Sequence, residues 1–547
     1  MSSPTSTTAN DEAAKAAATA SSEEIAKKYD LDGIDDEFSD HGVPGDTGFT
    51  KYDKKDMYRM GKKQELKRNY RSLSALSFTA ILQATWEYLL ISNTQGMIDG
   101  GLAGLFWSYV WTFIGFGIVM LSLAEMASMA PISGGQYHWV SEFAPTEYQK
   151  FLSYFAGWMS TLSWQAGIAS GSYLTGTMIQ GLISINYPAY DPKDWQGTLL
   201  IYAMVLIIFI ANVWAADELP MIQNVVMLLH IFDFIAVIVV LWICSPRNTA
   251  KEVFTGFLNE GGWSSMGLSL MIGQISAIYG SISSDATAHM AEEIKDAGRN
   301  VPLAMVWSYV LNGILGLVLL VTYLFCVVDV DAAINDVTGF PFLWVFKNTV
   351  STAGVNALTI ILLILVIISN ISFNASTSRQ TFAFARDKGL PGYKWLAKVD
   401  PKKQIPVNSI TMTCTTTCIL ALINIGSSVA FNAIISLQVS ALFMSYSISI
   451  ACVLYRRLKH PELLPQCRWS LGRWGVPINA FGVVYVLFAF FWSFWPNATP
   501  VDVETFNWSV VIFIAIAILS LVMYFVEGKK VYTGPVTDVV GRGPDEL

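Results

Sequence analysis

Apolar stretches recur along the chain from residue 72 to residue 526, with short polar links between them. A helix rises about 1.5 Å per residue, so a stretch of about 20 residues crosses a hydrocarbon core about 30 Å thick. The pattern is plainest over Leu199 to Trp214, Val225 to Ile243 and Leu311 to Val328. It predicts spans over 72–94, 102–126, 150–183, 197–215, 219–244, 265–291, 303–328, 353–384, 408–428, 430–456, 476–496 and 505–526, twelve helices in all. The expected class is therefore an all-α polytopic membrane protein. Two spans depart from the pattern. Gln83-Ala-Thr-Trp-Glu87 drops polar residues into the first, and Gly280-Ser-Ile-Ser-Ser284 places a glycine and three serines in the sixth.

Charge gives the direction of these helices, because links on the cytoplasmic side retain lysine and arginine. The segment 51–71 carries Lys51, Lys54, Lys55, Arg59, Lys62, Lys63, Lys67, Arg68 and Arg71. The link after the eighth span (Arg386, Lys388, Lys394, Lys398, Lys402, Lys403) and that after the tenth (Arg456, Arg457, Lys459, Arg468, Arg473) fall on the same side. Opposite links hold only Lys193, Arg247, Lys251 and Lys347, so both termini are expected in the cytoplasm. Residues 1–70 are expected to be a disordered cytoplasmic tail, 71–527 the transmembrane domain and 528–547 a second cytoplasmic tail. The first 46 residues alone hold eleven acids against three lysines, which matches the net charge of -8 of the whole chain. The acidic balance thus describes the tail and not the membrane domain.

Composition agrees with the span pattern. With 53% hydrophobic and 14% charged residues and a mean hydropathy of +0.45, a water-soluble globule is excluded. No cofactor-binding loop or nucleophile-base arrangement is found, so an enzyme is not expected, and neither is a nucleic-acid partner. Cysteine is silent too. Cys414 and Cys418 lie four apart but lack histidine or carboxylate neighbours, which reads as packing and not as a metal pair. Asn497-Ala-Thr and Asn507-Trp-Ser are formal glycosylation sequons on the predicted outer side.

Burying a charge at mid-membrane costs about 2.5–3.5 kcal/mol on insertion scales, so an ionisable residue there marks a solute or ion path by default. Glu87, Glu125, His230 with Asp233, and Asp285 are such residues. A glycine-serine run favours a helix break, since serine hydroxyls satisfy the freed backbone groups. Polar interruptions at corresponding places in two halves point to a transporter site at the midplane, and the first and sixth spans correspond if the chain is a repeat of five helices plus five. Two roles stand for Asp285: part of that site, or a cap on the second half-helix.

The stretches Ala124-Glu-Met-Ala-Ser-Met-Ala-Pro-Ile-Ser-Gly-Gly-Gln-Tyr137, Asp285-Ala-Thr-Ala-His-Met-Ala-Glu-Glu293 with Asn300-Val-Pro302, and Thr377-Ser-Arg-Gln-Thr-Phe-Ala-Phe-Ala-Arg-Asp-Lys-Gly-Leu-Pro391 resemble the amino acid-polyamine-organocation superfamily. More narrowly, the chain is similar to the fungal amino acid/choline transporter family, with its GABA and choline permeases, from about residue 60 to about residue 530. The resemblance implies a 5+5 inverted repeat with broken first and sixth helices, two further C-terminal helices, and secondary active transport by alternating access. It places substrate contacts at Gln83, Thr85, Trp86, Glu87, Tyr279, Gly280, Ser281, Ser283 and Asp285, with Trp86 alternatively a packing residue. Glu125, Glu292, Glu293, Arg379 and Arg386 become elements of a cytoplasmic gate. Alignment of Gln223-Asn224 puts His230 where bacterial relatives carry a proton-binding lysine, with Asp233 or Glu87 as alternatives and a packing histidine as the plainer role. The implied partners are a small-molecule solute of the amino acid, GABA or choline class, a proton, and the lipid bilayer. The plasma membrane is the expected location and the vacuolar membrane an alternative. Export or exchange of a specialised metabolite, or nutrient sensing without transport, are the other functions open at this point.

Overall fold

The computed structural model describes residues 50–426, 430–503 and 505–535, all within one unit, Gly48–Leu547. A short helix α1 (Lys51–Arg59) precedes the first span, which is split into α2 (Ser72–Gln83) and α3 (Thr85–Ile91). Then follow α4 (Gly101–Met129), a short α5 (Gln136–Phe143), α6 (Gln149–Asn186), α7 (Asp194–Trp214) and α8 (Leu219–Cys244). The sixth span is broken into α9 (Met266–Gly273), α10 (Ile275–Tyr279) and α11 (Ala286–His289). The remaining spans are α12 (Ala297–Cys326), α13 (Thr352–Arg386), α14 (Val407–Ala421), α15 (Ala430–Lys459), α16 (Gly475–Trp492) and α17 (Ser509–Met523). Among the described residues, nine helices are long and apolar enough to cross a membrane. The two broken spans and α6 complete the expected twelve, and the described residues form no strand.

Both breaks sit where the polar interruptions predicted them. Ala84 adopts φ 41°, ψ 49° and serves as the last cap of α2 and the first of α3. In the sixth span the left-handed residue is Ser283, at φ 78°. The flanking hydroxyl of Ser281 donates to the Ala277 carbonyl, satisfying a backbone group that the break would otherwise leave open. Between them, Gln83 Nε2 donates to the Ser281 carbonyl at 3.2 Å and joins one break to the other.

The helices carrying these breaks are enclosed, whereas α7 and α8 turn Leu206, Val225, Phe232 and Ile243 outward as lipid-facing surface. Helix α12 begins at Ala297, ahead of the expected residue 303. Its first amides are capped from a distance: Asp53 accepts from the backbone N–H groups of Asp296 and Ala297, each at 2.9 Å. No local signal carries such a cap.

The tail expectation for 1–70 needs correction at its membrane end. Residues 1–49 lie outside the described residues, but 50–70 are folded. Thr50 and Asp53 form a capping box on α1, and Met57 and Met60 are buried. Tyr70 pairs with the backbone of the 293–295 segment, donating to the Glu293 carbonyl at 3.0 Å and accepting from Lys295 at 2.9 Å. In the other expected tail, Tyr532 is fully buried and its hydroxyl lies 2.5 Å from Ser153 Oγ, while 536–547 lie outside the described residues. The Asn507 sequon is closed off, because its side-chain amide donates to the Ser493 and Trp495 carbonyls.

Candidate functional site

The half-helix α3 presents two different chemistries on two faces. Successive helical residues point about 100° apart, so Glu87 and Tyr88 face different neighbours. On one face Glu87 Oε1 lies 2.6 Å from His230 Nδ1 on α8, and the indole N–H of Trp86 is directed at the same nitrogen, 3.1 Å away. All three side chains are buried, Trp86 and His230 to 0% exposure. Asp233, one turn along α8, is 3% exposed, and neither of its oxygens has a hydrogen-bond partner. Glu87 Oε2, His230 Nε2 and Thr85 Oγ1 are likewise unpartnered. A buried ionised carboxylate with no donor is strongly disfavoured.

On the other face the Tyr88 ring meets Tyr279 of α10 edge-on at 5.6 Å, and its hydroxyl lies 3.4 Å from Ser369 of α13. Tyr279 reaches Ser170 of α6 at 2.9 Å, and Ser170 is 3.1 Å from Gln438 Oε1 of α15. Asn370 donates to Thr175 at 3.1 Å. Room for this meeting comes from Gly171: a Cβ there would sit 2.1 Å from Asn370 Oδ1. Five spans therefore bring neutral donors, acceptors and two aromatic rings to the level of the two breaks.

Among the remaining expected contacts, Gln83 ties the breaks together as described, and Ser281 bonds within its own helix. Gly280 packs against Leu89, to which an added Cβ would approach within 2.9 Å. Asp285 does not cap α11 through its side chain, because its own backbone is helical at φ -74°. Its carboxylate instead accepts from Gln136 Nε2 at 2.7 Å.

Toward the lysine- and arginine-rich ends of the spans, the basic face, ion pairs join separate elements. Arg386 holds Glu292 through two bonds of 2.8 Å, and Arg379 Nε holds Glu293 at 2.6 Å. Glu125 is not brought to them. It pairs with Arg457 and accepts from the Leu471 amide at 2.9 Å. Sequence reasoning missed a second tier from the 50–71 segment. Lys62 pairs with Asp387 at 2.7 Å, Gln64 donates to the Glu292 carbonyl at 2.6 Å, and Arg68 donates to the Ala291 carbonyl at 3.0 Å and also to that of Ile294. Tyr137 adds a 2.9 Å bond to Asp387. Beside it His138 is 1% exposed, and burial drives its pKa down to about 3, against the pull of Glu142. Missed near the breaks were Tyr88, Ser170, Asn370 and Gln438. The one available signal was their position as polar residues within apolar runs, which many packing residues share.

Comparison with known proteins gives a consistent picture. A family model described as amino acid permease matches residues 69–518. A protein of Macrophomina phaseolina named as an amino acid/polyamine transporter is 30% identical over 79% of this chain and 96% of its own length. The GABA-specific permease of Saccharomyces cerevisiae is 26% identical, covering 88% of this chain and 85% of its own. The choline transporter of the same yeast is 25% identical, with 85% and 82% covered.

Proposed function

The chain belongs to the amino acid permease family and is a multi-pass membrane transporter; from that premise we propose that it imports an amino acid-like or quaternary ammonium solute, coupled to protons, by alternating access. The observation that carries this reading is the two-faced half-helix α3. Its Glu87 side meets His230 and Asp233, groups suited to take and release a proton. Its Tyr88 side meets Tyr279, Ser170 and Gln438, groups suited to hold a small polar solute. A proton and a solute that act on different faces of one two-turn segment are mechanically linked.

Solute chemistry follows from what the spans contain. Glu87, Asp233 and Asp285 lie at the level of the breaks, while Arg379 and Arg456 stand at the basic ends of their helices. A positive group is favoured there, held by the tyrosine faces through cation-π attraction, as relatives named for polyamines, GABA and choline suggest. The basic face is the cytoplasmic one in this reading, and the plasma membrane is the site of action.

The test is uptake of labelled GABA, choline, basic amino acids and polyamines in a permease-deficient cell, with and without a proton uncoupler. Saturable, uncoupler-sensitive uptake of one solute is expected. In His230→Ala, accumulation against a gradient should vanish while solute exchange persists. Unchanged pH dependence of uptake in that variant would overturn the proton role.

A further inference from the structure

His230 Nδ1 is asked to meet two partners with a single lone pair. The indole N–H of Trp86 only donates, so at 3.1 Å it requires that lone pair to be free of hydrogen. With that lone pair free, the hydrogen of the 2.6 Å contact sits on Glu87 Oε1, and Nδ1 accepts from both sides. The proton-loaded form that satisfies both contacts has Glu87 as a carboxylic acid and His230 neutral with its hydrogen on Nε2. In the unloaded form Nδ1–H donates to a Glu87 carboxylate, and the indole N–H faces another N–H.

Resting on the reading that Glu87 and His230 are the coupling site, we propose that Trp86 is the positioning residue that reports the proton to the solute face. Release moves the proton of Glu87 Oε1 to His230 Nδ1 as the Nε2 proton departs. One proton leaves, Glu87 becomes a carboxylate, and histidine ends neutral as its other tautomer. Release thus moves the buried N–H that lacks an acceptor from His230 Nε2 on α8 to the Trp86 indole on α3, and the half-helix turns to satisfy it. Tyr88 lies two residues on and turns with it, shifting its edge-on contact with Tyr279.

The surroundings leave little else to respond. On the half-helix itself Glu87 is the ionisable group facing His230, and on α8 it is Asp233. Helix α2 contributes none. On α12, Arg299 is near the basic end, Tyr309 bonds to the Phe113 carbonyl, Cys326 contacts the Leu241 carbonyl, and Tyr323 lies toward the far end. On α13, Arg379 and Arg386 are held by Glu293 and Glu292. On the neighbouring short helix Pro341–Thr349, Lys347 is held by Asp336.

The test is an infrared pH titration of the purified full-length protein in lipid bilayers, which needs no solute. The protonated carboxyl band lost in Glu87→Gln is that of Glu87. In Trp86→Phe its titration midpoint should move toward acid by about half a unit to one unit, the worth of one hydrogen bond to the loaded form. If that variant fails to reach the membrane, benzothienylalanine at position 86 keeps the ring and removes only the N–H. A midpoint that does not move overturns the role of Trp86, since a merely structural tryptophan changes yield and not titration. If no carboxyl band is lost in Glu87→Gln, the coupling-site reading itself fails, a result distinct from an unmoved midpoint.

Discussion

Single residues near the breaks carry opposing energies that nearly cancel. Ala84 is held left-handed at φ 41°, which costs an L-residue about 1–2 kcal/mol. Glycine would relieve that strain, while removing a fully buried methyl costs about 0.8 kcal/mol. Ala84→Gly should therefore change stability by less than about 1 kcal/mol. Ala80, equally buried one turn earlier in a regular helix, has no strain to relieve. Ala80→Gly should cost about 1–2 kcal/mol. Thermal unfolding of the two variants checks this, and equal losses would mean that Ala84 is not strained in the membrane. The sequence made residues such as Glu87 and His230 legible because a charge in an apolar run needs a reason. Ser170, Asn370 and Gln438 were not legible, because a neutral polar side chain in a membrane helix commonly bonds to its own backbone. Only the packing of α6, α13 and α15 around Tyr88 and Tyr279 shows otherwise.

At the scale of elements, helix boundaries followed the apolar pattern closely, with α8 matching its expected span of 219–244 at both ends. Failures came where a partner distant in sequence did the capping or packing, as Asp53 does for α12. The short helix α5 is a similar case, amphipathic by sequence yet buried throughout in the structure. Its His138 has no hydrogen bond at either ring nitrogen, and burial holds its pKa near about 3, against about 6.5 in an unfolded chain. The unfolded state thus binds one more proton as pH falls below about 6.5, so His138 costs stability on the acid side and none above it. The loss rises by up to about 1.4 kcal/mol per pH unit until the folded-state pKa is reached. His138→Leu keeps the volume and removes the proton. Its unfolding temperature should fall less steeply between neutral and mildly acid pH than that of the parent protein, and parallel curves would refute the assignment.

Across the whole molecule, the charges that the sequence placed on one face form ion pairs whose halves come from remote parts of the chain. Lys62 and Asp387 are 325 positions apart, and Arg386 and Glu292 are 94 apart, separations that local pattern cannot pair. These contacts join the 291–294 segment to the end of α13 and to the folded 50–71 stretch. If these pairs form the proposed cytoplasmic gate, its sensitivity is asymmetric. Glu292 has 0% exposure, and removing its arginine leaves a buried charge unpaired, at a cost of about 3–5 kcal/mol. Opening the face hydrates that carboxylate and relieves the cost, so Arg386→Ala should favour the open state by a factor of about a hundred or more. Adding Glu292→Gln removes the buried charge and should restore closure even though the pair is gone. Ser284 is fully buried beside the sixth-span break, and a cysteine placed there in a cysteine-free background reports the state. A membrane-impermeant maleimide added at the basic face should label it in Arg386→Ala, but only weakly in the parent and in the double variant. Equal labelling of all three would show that the Glu292 pair is a surface ornament of the closed state and does not hold it shut.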